Sequence, residues 1–244
     1  MLIAGNWKMY GLAAALGEAR TLAARLAENP SRARVAICPP ATLLSRLAAV
    51  VGEGPIEIGA QDCRAERDGA FTGDIAAEML ADAGARLVIL GHSERRAGHA
   101  ETDAVVAAKI GGALRAGLEP IVCVGETLAQ RQGGGAERIV TTQVDASLPD
   151  GLKDHPFSIA YEPVWAIGSG LTPTLAEIEA MHAAIRATLR ARFGAAGMAA
   201  PILYGGSVKP GNAAEILNVP EVGGALVGGA SLKAADFEAI IRAA

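Results

Sequence analysis

Arg86-Leu87-Val88-Ile89-Leu90-Gly91 puts an unbroken apolar run behind one arginine, and His92-Ser93-Glu94-Arg95-Arg96 follows it at once. A strand with one wet face alternates apolar and polar residues. A run apolar at every position must be covered on both faces, as in a parallel sheet flanked by helices. Outward from this stretch, similar runs occur at residues 2–6, 34–38, 56–60, 120–124, 157–161, 201–204 and 224–227, eight in all.

The stretches between the runs carry helical spacing. Ile178, Met181, Ile185, Leu189 and Phe193 form one stripe, and Thr174 with Glu177 fits a capping box at its head. Leu12, Leu16, Ala19, Ala23 and Leu26 form another, stopped by Asn29-Pro30. Residues 102–116 and 231–242 read as helices, and Gly133-Gly134-Gly135 divides 127–147. Eight strands alternating with helical segments predict an α/β fold whose parallel strands are joined by right-handed crossovers. No run looks like an edge strand, which favours a closed (β/α)8 barrel; an open doubly wound sheet is the alternative. No linker, low-complexity tract or charge block divides the chain, so residues 1–244 are expected to form one barrel domain.

The chain is 51% hydrophobic but only 4% aromatic, so its core is expected to be built from Ala, Val, Leu and Ile. A net charge of −4 gives no general attraction for nucleic acid or an anionic membrane, while a small anion could still be held by local donors. The longest uncharged stretch, 193–208, is broken by glycines and Pro201 and falls short of the roughly 20 residues of a membrane helix. Lys8 comes too early for a secretory h-region, and Cys38, Cys63 and Cys123 form no CxxC pair. A cytoplasmic protein with reduced thiols is expected.

In a closed barrel the strand exits meet on one face, where catalytic groups gather. Four exits are polar: Asn6-Trp7-Lys8, Gly91-His92-Ser93-Glu94-Arg95-Arg96, Tyr161-Glu162-Pro163 and Tyr204-Gly205-Gly206-Ser207. The eighth run leads into Gly228-Gly229. Singly, Lys8 reads as a solvated lysine, His92 as a satisfied loop histidine, Glu162 as an exposed acid and the glycine pairs as turns. Together they offer a reaction. A carboxylate removes a proton from carbon beside a carbonyl. An imidazole donates a hydrogen bond to the carbonyl oxygen, and a lysine stabilises the enediolate. That is aldose–ketose isomerisation, expected to need no metal or cofactor, since no HExxH, cysteine cluster or acidic ladder suggests one. Gly228, Gly229 and Ser207 offer donors for a phosphate. Residues 163–173, which include Trp165 and two glycines, read as an ordinary loop or as a lid that excludes water.

At these residues the chain resembles the triosephosphate isomerase family. The likeness rests on Asn6-Trp7-Lys8-Met9, the stretch from Gly91 to Arg96, and Tyr161-Glu162-Pro163-Val164-Trp165-Ala166-Ile167-Gly168. Tyr204-Gly205-Gly206-Ser207-Val208 and Val227-Gly228-Gly229-Ala230 complete it, in the family's order over nearly the whole chain. The resemblance implies a TIM barrel that interconverts dihydroxyacetone phosphate and glyceraldehyde 3-phosphate in glycolysis and gluconeogenesis. Glu162 would be the base, His92 a neutral electrophile and Lys8 the cation near the substrate oxygens; the neutral imidazole and water-excluding lid belong to that family's general chemistry. Asn6 would support the oxyanion side and Glu94 would position the polar network. Gly168, Ser207, Gly228 and Gly229 would hold the phosphate, while Tyr204 and Ser207 would steady the closed lid.

The family is usually a homodimer, and the loop from Gln61 to Gly73, with Ala70-Phe71-Thr72-Gly73, resembles the one that reaches the partner. Thr72 would then approach the neighbouring active site and support its lysine. Asp62 stands where the family commonly has Asn, Asp74 where it has Glu, and Leu171 where it has Lys, while Pro173 stiffens the end of the lid. A pair between Asp74 and Arg95 across the interface would feel the shorter carboxylate. Two other readings stay open at this level: another sugar-phosphate enzyme on the same barrel, or a catalytically idle scaffold.

Overall fold

The computed structural model describes residues 1–167 and 171–244. Its eight strands are β1 (Leu2–Asn6), β2 (Arg34–Cys38), β3 (Ile56–Ala60), β4 (Leu87–Leu90), β5 (Glu119–Val124), β6 (Ser158–Tyr161), β7 (Ile202–Tyr204) and β8 (Gly224–Val227). All pair in parallel in chain order, and β8 returns to β1, so the sheet is a closed barrel and the open alternative falls away.

The double covering explains the continuous apolar runs. Leu87 and Ile89 of β4 belong to a core with Ala4, Cys38, Ile121 and Leu203 inside the barrel. Val88 and Leu90, between them in sequence, pack in the layer under the helices. Closure depends on one close approach. Gly224 has φ +149°, and a Cβ there would lie 1.9 Å from the Leu2 carbonyl oxygen. Only glycine lets β8 lie against β1 at that point.

Helices form largely where the apolar spacing puts them. Leu175–Phe193 buries Ile178, Met181, Ile185, Leu189 and Phe193 as expected, adds His182, and carries the Thr174–Glu177 capping box. The triple glycine separates Leu128–Gln132 from Ala136–Ser147. Two expectations are corrected. Leu12 is 82% exposed ahead of a 3-10 turn at Ala13–Ala15, and the helix Leu16–Glu28 buries Leu22 rather than Ala23. The last helix starts at Ala234, after a 3-10 turn at Gly229–Ser231, so the glycine pair opens a turn rather than the helix itself. No helix among the described residues is long and apolar enough to cross a membrane.

The loop after β3 is closed at its base by a bridge between Arg64 and Ala76. Arg64 lies 3.8 Å over the Phe71 ring and pairs with Asp74 at 2.6 Å. Arg95 pairs with Asp62 at 2.9 Å and Glu101 at 2.7 Å. Within one chain, then, Asp74 and Arg95 already have partners other than each other. Asp62 also accepts from buried Lys109 at 2.7 Å, which gives its departure from Asn a physical use: a second carboxylate beside a buried ammonium. The three cysteines are free and buried. Burial pushes the thiols of Cys38 and Cys63 up to about 12 and that of Cys123 well above its ordinary value, as suits packed side chains.

Candidate active site

One open pocket of about 870 Å³ sits at the C-terminal mouth of the barrel. Asn6, Lys8, His92, Glu94, Glu162, Ser207, Gly228 and Gly229 all line it, although they come from five separate strand exits. Tyr204 and Thr72 do not line it, and Gly168 lies outside the described residues.

Lys8 has φ +52°, a left-handed conformation that costs a lysine roughly 1 kcal/mol and needs outside support. Its N–H donates to Asn6 Oδ1 at 2.9 Å, and its carbonyl accepts from Gln61 Nε2 at 2.9 Å. The ammonium meets Glu94 Oε1 at 2.6 Å. Asn6 is therefore a brace for the lysine turn as well as part of the pocket wall.

His92 caps the helix Ser93–Gly98: its Nδ1 accepts the Glu94 backbone N–H at 3.2 Å. Glu94 Oε2, at 3.6 Å, is beyond hydrogen-bonding range. An accepting Nδ1 leaves Nε2 as the ring's donor, and Nε2 lies 2.9 Å from Glu162 Oε1.

Glu162 is 2% exposed. Its Oε2 accepts the Ser93 N–H at 2.9 Å and its Oε1 the Ser93 hydroxyl at 3.1 Å. Burial opposes ionisation here, but His92 and the two Ser93 donors outweigh it and hold the carboxyl below its ordinary value. The group is thus a carboxylate held on Ser93. A Cβ on Gly205 would come within 2.9 Å of Glu162 Cγ, so the glycine keeps the space beside that side chain clear.

On the opposite wall, Asn212 fixes the loop after β7 by donating to the Ser207 carbonyl at 3.1 Å and accepting the Lys209 N–H at 2.7 Å. The Tyr204 hydroxyl is buried and has no hydrogen-bond partner among the described residues, and burial raises its pKa. Lys209 is a further cation on the pocket wall.

Three supporting residues escaped the sequence reading. Ser93 sits in the polar exit of β4 and donates twice to Glu162. Gln61 braces Lys8 from the exit of β3. Glu126, fully buried just after β5, accepts from Tyr161 Oη at 3.1 Å, Trp165 Nε1 at 2.8 Å and Arg131 at 3.1 Å. Trp165 is accordingly anchored at its indole and half-buried. The strand-exit rule, applied to the third and fifth strands as well, points to Gln61 and Glu126.

A sequence model of the triosephosphate isomerase family matches residues 1–244. The chain is 61% identical to a triosephosphate isomerase of Caulobacter vibrioides over 242 residues, covering 99% of this chain and 96% of that protein. It is 58% identical to one of Afipia carboxidovorans over the same shares of the two chains. The crystal structure of triosephosphate isomerase from Bartonella henselae superposes with a TM-score of 0.92 at 47% identity, covering 99% of this chain and 98% of that one. Sequence and fold thus agree on the interconversion of dihydroxyacetone phosphate and glyceraldehyde 3-phosphate, and the chain belongs to the triosephosphate isomerase family.

Proposed function

We propose that Glu162 is the base of this isomerisation, with His92 as the electrophile and proton shuttle and Lys8 as the cation beside the substrate oxygens. The observation that carries the reading is the parked Glu162 carboxylate, ionised despite its burial and facing His92 Nε2 in the pocket that Lys8 enters. With the carbonyl oxygen between His92 Nε2–H and the Lys8 ammonium, Glu162 leaves Ser93 and takes a proton from C1 of dihydroxyacetone phosphate. The electron pair moves to the oxygen on C2, and His92 and Lys8 meet the negative charge that develops there. His92 then transfers a proton between the two oxygens, and Glu162 returns its proton to C2.

Ser207, Gly228 and Gly229 hold the phosphate in this reading, and Gly168 joins them. Asn6 and Glu94 position Lys8, and Tyr204 with Ser207 steadies the lid. The working form is a homodimer in which Thr72, on the loop from Gln61 to Gly73, supports the neighbouring site. Phe71 at 37% and Tyr10 at 60% exposure are apolar surface that a partner copy would cover. We place the protein in the cytoplasm, as one domain over residues 1–244, with no nucleic-acid or membrane partner. Isomerisation of dihydroxyacetone phosphate in D2O tests the proton-transfer step. A carboxylic acid proton exchanges with solvent, so deuterium is expected on C2 of the product. Product free of deuterium would mean a hydride shift and no base of this kind.

A further inference from the structure

We infer that Trp7 is a positioning residue whose indole ties the lysine turn to the phosphate loop, so that the two ends of the substrate site keep one register. The inference rests on the site reading above. Trp7 follows Asn6 directly and is 1% exposed. Its indole N–H donates to the Ser231 carbonyl at 3.1 Å, across 224 residues of sequence. Ser231 in turn sends both its N–H and its hydroxyl to the Gly228 carbonyl, at 2.8 and 2.7 Å. The turn from Gly228 to Ser231 is therefore closed on itself and hung from the indole.

The strands alone do not hold these two exits together. The β1–β8 ladder ends at Gly5 opposite Val227, before either Lys8 or the glycine pair. Beyond it, the Trp7–Ser231 bond is the hydrogen bond that joins the two exits among the described residues. The exits do adjoin, since a Cβ on Gly228 would lie 3.6 Å from Lys8 Cε. On the other side, the Trp7 backbone N–H donates to the Cys38 carbonyl at 3.0 Å, and Gln61 Nε2 spans that carbonyl and the Lys8 carbonyl. Lys8 and the loop carrying Gly228 and Gly229 are thus referred to one rigid indole, which does not itself line the pocket.

Trp7→Phe keeps most of the ring and removes the N–H. Its KM for glyceraldehyde 3-phosphate and its inhibition constant for inorganic phosphate are each expected to rise about fivefold, the usual effect of losing one hydrogen bond, with a smaller fall in kcat. Turnover of unphosphorylated glyceraldehyde should fall less than turnover of the phosphate ester. Ser231→Ala keeps the carbonyl that takes the indole N–H and removes the hydroxyl bond that helps close the turn on Gly228. It loosens the same strut one link further on, so its effect on phosphate should not add fully to that of Trp7→Phe. If Trp7→Phe does not fold, Ser231→Ala tests the loop end of the strut, with a smaller rise in the phosphate inhibition constant expected. Phosphate inhibition unchanged in the folded variant, or equal losses with and without the phosphate group, would overturn the proposal and leave Trp7 a packing residue. A wild-type protein that phosphate does not inhibit would instead contradict the phosphate site itself.

Discussion

A carboxyl group as buried as that of Glu162 would, left alone, keep its proton; the donors of Ser93 and His92 reverse that balance. His182 shows the same competition decided the other way. It is fully buried, edge-on to Tyr161 with ring centroids 5.9 Å apart, and its Nδ1 lies 3.2 Å from the Glu221 carbonyl. Nε2 has no hydrogen-bond partner among the described residues, and burial pulls the ring's pKa down to about 4. The unfolded chain takes up this proton near pH 6.5 and the folded chain only near 4, so stability is lost as pH falls through that window. Urea unfolding is expected to show His182 costing the native state about 2 kcal/mol between pH 7 and pH 5. A His182→Gln variant should show a correspondingly smaller loss; equal slopes would contradict the assignment.

At the scale of elements, Glu126 joins the loop after β5, the start of the proposed lid and two helices. Besides Tyr161 and Trp165 it meets Arg131, which also pairs with Glu177 of the helix Leu175–Phe193 and lies over the Trp165 ring. Removing one partner of a buried, hydrogen-bonded pair strands the others, so Glu126→Ala is expected to cost about 3 kcal/mol in urea unfolding. It should also lower kcat by freeing Trp165. A variant as stable and as fast as wild type would remove Glu126 from the lid's support. The strands were legible in the sequence because the covering of both faces leaves an unbroken apolar signature that no local turn can imitate. Helix starts were less so: Leu12 has the right spacing, but the chain there winds into a 3-10 turn and leaves it in water. Lys8, His92 and Glu162 stood out because each interrupts an apolar exit. Gln61 and Glu126 did not, since their use depends on partners 53 and 35 residues away that only the closed barrel brings near.

At the scale of the whole molecule, the loop from Gln61 to Gly73 serves two surfaces. Its first residue braces Lys8, and its tip presents Phe71 and Thr72 to the outside. The network of Asp62, Arg95, Glu101 and Lys109 ties that loop to the helix beginning at Ser93, which carries the donors holding Glu162. Disturbing the tip should therefore reach the site. Phe71→Asp is expected to shift sedimentation from dimer to monomer and to lower kcat/KM by about a hundredfold, the scale of a 1 Å misplacement of a catalytic group. A monomer as active as the wild-type protein would sever assembly from catalysis and withdraw the role given to Thr72.

The proposed proton transfer turns on one carboxylate, and the most direct measurement is kcat/KM for glyceraldehyde 3-phosphate in Glu162→Gln beside the wild-type protein. Glutamine fills the same space, yet it cannot accept the proton. The account predicts a fall of about a thousandfold or more, as expected on loss of a positioned general base. A folded Glu162→Gln protein within tenfold of wild type would show that another group takes the proton.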